Sequence, residues 1–303
     1  MTSLVGCADS FETPGPGGFQ ILVQPLNVVT RAVSSPDPSG TVFVGGGTSV
    51  PTLLALDPSL ELFGIPLPGT ITDGLSAVAT NAEGDVVVGT LSGQVWRILP
   101  DVVLLADEDA PVVDIVSDGS IGWVYATEQA LAWLPVPSVP DVQRVPQEDL
   151  TAVDIVDLGP EAPSRVVAVG PVVAVGTLET PFQVEATRLS PPGSDGLSVP
   201  SGRVLAPFAG GLHVVTGQRM EVAQIPSSGA AVIAESAEGD VWLADEGTIG
   251  QWRGSDRFEE LVNPVDFPAL EGIRFLDAAT RDDSLTVVGS SGETGVIVLV
   301  LPD

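Results

Sequence analysis

Short apolar runs rich in valine alternate along the whole chain with clusters of Gly, Pro, Asp and Ser. Runs of this kind, bounded by turn residues and carrying β-branched side chains, predict strands rather than helices. Two segments are plainly related. One is Ala77-Val78-Ala79-Thr80-Asn81-Ala82-Glu83-Gly84-Asp85-Val86-Val87-Val88-Gly89, and the other is Ala231-Val232-Ile233-Ala234-Glu235-Ser236-Ala237-Glu238-Gly239-Asp240-Val241-Trp242-Leu243-Ala244. Each reads as a strand, a tight turn centred on Glu-Gly-Asp, and a second strand. Each then runs through a Gly-containing turn into Gly93-Gln94-Val95-Trp96-Arg97 or Gly250-Gln251-Trp252-Arg253. The segment Phe258–Val262 is compatible with a short helix, but no helical periodicity of real length appears.

The second strand recurs seven times and each copy closes on a small residue: Gly45, Gly89, Ala126, Gly170, Thr216, Ala244 and Gly289. These positions lie 44, 37, 44, 46, 28 and 45 residues apart. A third strand carries Trp96, Trp133 or Trp252 in several copies, and runs such as Val102-Val103-Leu104-Leu105 supply a fourth. Four short strands repeated about every 41 residues predict an all-β chain, a β-propeller of about seven four-stranded blades. A lone blade cannot bury both faces, so blades must stack around an axis. The last copy falls one strand short and the first carries a surplus strand, Phe19–Gln24. The amino-terminal strand is therefore expected to close the last blade. The stretch 190–226, with its short spacing and Pro191-Pro192-Gly193, leaves six blades or an irregular blade open. The expected organisation is a tether over 1–18 and a single propeller domain over 19–303.

Composition narrows the chemistry. The 303 residues carry 34 Gly and 27 Pro, too many for long helices. No run of 18 apolar residues exists, so no transmembrane helix is expected. Forty acids against 11 bases give a net charge of −29. Such a field disfavours nucleic acid and anionic lipid and favours cations or basic partners. All the bases are arginine, so a lysine Schiff base and a Walker-type phosphate loop are excluded. Gly45-Gly46-Gly47-Thr48 is accordingly a strand end and turn.

Cys7 is the single cysteine, which excludes an internal disulfide. It stands in Leu4-Val5-Gly6-Cys7-Ala8, which resembles the bacterial lipobox. That resemblance implies lipidation of Cys7 and, with Ala8 next, sorting to the outer membrane. Only six residues precede Cys7, so the apolar part of a signal would lie upstream of Met1. A polar, Pro/Gly-rich run from Asp9 to Gly18 follows, as a tether between anchor and domain would.

The series Gly239-Asp240-Val241-Trp242-Leu243-Ala244, followed by Gly250-Gln251-Trp252-Arg253, resembles the repeats of bacterial two-component-regulator-type propellers. Trp242 fits their second-strand tryptophan, whereas Val87 replaces it in the earlier copy. The resemblance implies the fold and leaves function open. No WD dipeptide signature is present.

The only histidine, His213, lies in an expected strand and reads as an interior or rim residue. It cannot build a His-rich zinc site, and no G-x-S-x-G elbow accompanies it. Asp107-Glu108-Asp109 reads as a solvated loop. Asp114 and Asp154 occupy matching places in Val113-Asp114-Ile115-Val116 and Val153-Asp154-Ile155-Val156, on strands expected to line the central channel. Arg31, Glu235 and Asp277 lie near the same register. Asp114 and Asp154 are thus the candidate metal residues, and an oxygen-lined mouth of this kind would take Ca²⁺; the plainer alternative is a hydrated channel with no cofactor. Calcium-dependent lactonase propellers use a Glu/Asn/Asp set, and Asn27, Asn81 and Asn263 stand in no such motif. The reading that follows is a non-catalytic scaffold propeller, held to the bacterial envelope by a lipid on Cys7 and binding an envelope protein partner. The alternative is a metal-dependent, lactonase- or lyase-like enzyme with its site on the channel axis.

Overall fold

The computed structural model describes residues 11–14, 19–118, 122–135, 142–156, 164–178, 182–190, 192–193, 197–198, 203–216, 219–225, 232–236, 239–252, 258–281 and 284–302. They form seven antiparallel sheets in a ring. Blade one runs outward from Thr30–Val33 through Val42–Gly46 and Thr52–Leu56 to Leu62–Ile65. The innermost strands of blades two to seven are Leu75–Thr80, Val112–Ser117, Ala152–Val156, Leu197–Ser198, Val232–Glu235 and Arg274–Arg281. Blade seven continues outward through Ser284–Ser291 and Thr294–Pro302 to Phe19–Leu26. The amino-terminal strand therefore closes the ring, paired antiparallel with the last strand from Phe19↔Pro302 to Leu26↔Gly295. Phe11–Pro14, inside the stretch expected as a tether, pairs with Gln20–Val23 as a fifth strand on that blade.

Blade five resolves the irregular spacing. His213 belongs to Gly211–Thr216, which is the third strand of its blade, not the second. The second strand is Arg203–Phe208. Second strands then end at Val169, Phe208 and Asp245, 39 and 37 residues apart, and the anomaly disappears. Phe258–Val262 is the outer strand of blade six rather than a helix, because its backbone pairs with Ile249–Trp252. Among the described residues the one helical turn is Pro268–Leu270, and no helix is long and apolar enough to cross a membrane.

There is no single core. Seven apolar clusters lie between neighbouring blades, one for each interface around the ring. Between blades two and three, Val87 and Val95 meet Val112, Trp123 and Tyr125. Between six and seven, Trp242 meets Phe275, Ile21 and Val23. The closing strand adds Phe19, whose ring stands edge-on to Trp242 at 5.5 Å. Small residues recur at the ends of the second strands because the next blade presses there. A Cβ on Gly89 would fall 2.5 Å from Val112 Cγ1, and one on Gly45 would fall 3.3 Å from Leu75 Cβ.

The turns follow from local chemistry. Asp37, Asp57, Asn81 and Asn263 each turn a side-chain oxygen back onto backbone N–H groups two to four residues ahead. Gly84 and Gly239, the glycines of the two Glu-Gly-Asp turns, have φ of +86° and +87°, a region that Cβ disfavours.

Candidate functional site

A cavity of about 140 Å³ lies on the ring axis, at the end where the innermost strands begin. Its lining includes Arg31, Ser76, Asp114, Thr151, Arg274 and Asp277. The backbone explains why side chains reach it. In blades one, two, three and seven the innermost strand carries a β-bulge, with Arg31, Ser76, Val113 and Leu276 as the extra residues. A bulge re-aims the residues beside it, and all four extra residues line the cavity.

The two cavity aspartates stand directly after their bulges and perform the same task. Asp114 Oδ1 accepts the N–H of Ile115 at 2.8 Å, and its Oδ2 accepts the N–H of Val153 on the next blade at 2.8 Å. Asp277 Oδ1 accepts from Ala278 at 2.8 Å, and its Oδ2 accepts from Val33 on the next blade at 2.7 Å. Asp154 Oδ1 likewise accepts from Ile155 at 2.7 Å. Asp114 and Asp277 are thus staples between innermost strands. Burial raises the pKa of Asp277 to about 7 against the amide bonds that lower it. Burial also raises Asp114 well above the usual carboxylate range, and the nearby charge of Asp277 and then Asp154 adds to the rise.

Of the expected channel residues, Asp114, Asp277 and Arg31 share the cavity, while Asp154 and Glu235 are not in its lining. Among the described residues no three His, Cys, Asp or Glu side chains come together as a metal site. The oxygens of Asp114 already accept backbone amides, so its geometry lends no support to a Ca²⁺ site there. Asn81 and Asn263 are turn residues. Cys7 lies outside the described residues. His213 is fully buried and packs on the ring of Phe208 at 4.5 Å.

Glu108 departs from the solvated-loop reading of its segment, while Asp107 and Asp109 beside it are exposed. It is largely buried between blades two and three, where it accepts from Arg144 Nη2 at 2.8 Å and Nε at 3.0 Å and from the hydroxyl of Tyr125. Burial first, and then the bond to Glu108, pushes the Tyr125 hydroxyl far above its usual range. The bond to Glu108 raises Arg144 in turn. The run of acids around Glu108 carried no hint of partners that arrive 17 and 36 residues later.

No protein-family model matches this chain, and no curated protein matches it by sequence. Solved structures match by shape. The WD40 β-propeller domain of Doa1 superposes with a TM-score of 0.68 at 12% identity, over 90% of this chain and 93% of that one. A structure of YCF48 bound to D1 peptide gives a TM-score of 0.70 at 13% identity, over 95% and 98%. At such identities the likeness speaks for architecture alone. Seven four-stranded blades, closed by the amino-terminal strand and matched nearly end to end by solved propellers, make this chain a seven-bladed β-propeller.

Proposed function

We propose that this propeller is a non-catalytic scaffold that binds a protein partner, held at the bacterial cell envelope by a lipid on Cys7. The observation that carries the binding role is the closed ring itself, matched over nearly its whole length by a propeller solved with a peptide bound. A ring whose every blade interface is apolar presents its loops rigidly, and rigid loops are what recognition needs. The net charge of −29 favours a partner with a basic face. The envelope placement rests on the lipobox-like Leu4-Val5-Gly6-Cys7-Ala8 and on the polar, Pro/Gly-rich run from Asp9 to Gly18 that follows it; the outer membrane is the expected site.

The test is a crosslinked pull-down from native membranes, with the tagged gene translated from its natural upstream region. Recovery of one or two envelope proteins in stoichiometric amounts, lost together with membrane association in Cys7→Ser, supports the whole reading. A protein that comes down alone and partitions to the soluble fraction overturns it.

A further inference from the structure

Two guanidinium groups share the central cavity. Arg31 occupies the bulge of blade one's innermost strand, and Arg274 opens the innermost strand of blade seven. The two strands are neighbours fastened by the Asp277–Val33 bond, and Thr30 Oγ1 also donates to the carbonyl of Gly289, on blade seven's second strand, at 2.6 Å. The chain has 40 acids for 11 arginines, yet neither of these two makes an ion pair among the described residues. Arg31 Nε reaches only the Gly47 carbonyl, at 3.4 Å. The acids of the same cavity do not face them as partners. Asp277 and Asp114 direct their oxygens to backbone amides of their own and the following blade. The cavity's carboxylates are thus committed to the ring and its cations are not.

We infer that the mouth of the channel is a binding site for a small oxyanion, a phosphate or carboxylate group gripped by Arg31 and Arg274. Guanidinium groups suit this task because their fork of N–H donors meets two oxygens at once. The volume of about 140 Å³ admits such a group. Burial keeps Asp277 protonated up to about pH 7, which lowers the opposing negative charge in the same cavity. The oxyanion has two sources, a free ion or an acidic side chain carried by a protein partner. The site itself does not depend on the partner reading.

The experiment titrates the whole protein with sodium phosphate against sodium chloride at equal ionic strength, read through the arginine Nε–Hε signals. The expected result is a saturable shift of two arginine signals, with affinity reduced about tenfold or more in Arg274→Gln and in Arg31→Gln. Arg274 is exposed, so its variant keeps the fold and the comparison remains clean. Absence of a saturable shift, or binding unchanged in both variants, overturns the proposal. A partner captured on membranes and then released by phosphate identifies the oxyanion as the partner's. A partner that stays bound in phosphate identifies it as a free ion. If no partner is captured, the phosphate titration still stands or falls on its own.

Discussion

Asp277 Oδ2 accepts the backbone N–H of Val33 at 2.7 Å, joining residues 244 positions apart in the chain. The bond ties the last blade to the first at the axis. Its carboxyl is buried, and burial raises it from an ordinary aspartate to about 7. Between about pH 4 and 7 the folded protein therefore holds a proton that the unfolded chain has released. Stability from this group is full below the unfolded value and is lost as pH rises through about 7. The effect amounts to at most about 4 kcal/mol for Asp277, with Asp114 acting in the same direction. Unfolding free energies measured from pH 4.5 to 8 should fall with rising pH, and Asp277→Asn, which cannot ionise, should flatten that slope. A slope equal to that of the wild type in the variant would contradict the assignment.

Tyr125, Glu108 and Arg144 clasp blades two and three. Glu108→Ala leaves a buried hydroxyl without its acceptor and should cost about 1–3 kcal/mol. Tyr125→Phe removes the hydroxyl as well as its need and should cost about 1 kcal/mol. In a double-mutant cycle by urea unfolding the two changes should be less than additive, with a coupling of about 0.5–3 kcal/mol. Strict additivity would mean that Tyr125 and Glu108 do not act together.

Ile21 and Val23 on the closing strand are completely buried against blades six and seven. Ile21→Ala should cost about 2–5 kcal/mol, as much as a cavity in the middle of a one-piece core. An effect below about 0.5 kcal/mol, the ordinary range of surface sites, would show that the closing strand is not essential to the fold.

Two glycines separate two causes. Gly84 has φ +86°, and an added Cβ would meet only Pro38 Cδ at a relaxed 4.0 Å, so Gly84→Ala should cost about 1–2 kcal/mol through backbone strain alone. Gly89 has no such φ but abuts Val112 of the next blade, so Gly89→Ala should cost about 1–3 kcal/mol through overlap. A second change, Val112→Ala, should make the added methyl at Gly89 less damaging and do nothing for Gly84→Ala. Calorimetric melting of the three single variants, Val112→Ala among them, and the two double variants decides it.

The blade was readable in the sequence because each strand carries its own signal. Glu83-Gly84-Asp85 announces a turn, Trp96 and Trp252 mark third strands, and Gly89 marks the place where the next blade presses. The error at His213 has a physical cause. The true second strand of blade five contains Pro207, which lacks a ladder donor, and the more regular strand beside it drew the assignment. The channel was readable only in part. Asp114 and Asp277 announce themselves after apolar residues on innermost strands. That each carboxylate would lock onto the following blade depends on the bulges, and a bulge leaves no trace in the hydrophobic pattern. Arg31 and Arg274 become neighbours only when the ring closes.

The closing strand also sets the order in which the molecule can be completed. Phe19–Leu26 is made early and must wait for Gly295–Pro302, its hydrogen-bonding partner. Six blades can assemble from adjacent segments, but the seventh joins strands from opposite ends of the ring's sequence. Until Gly295–Pro302 is in place, Ile21 and Val23 present an apolar edge open to chaperones and to other chains. Loss of Gly295–Pro302 would leave that edge permanently open, so six correct blades cannot stand in for the seventh.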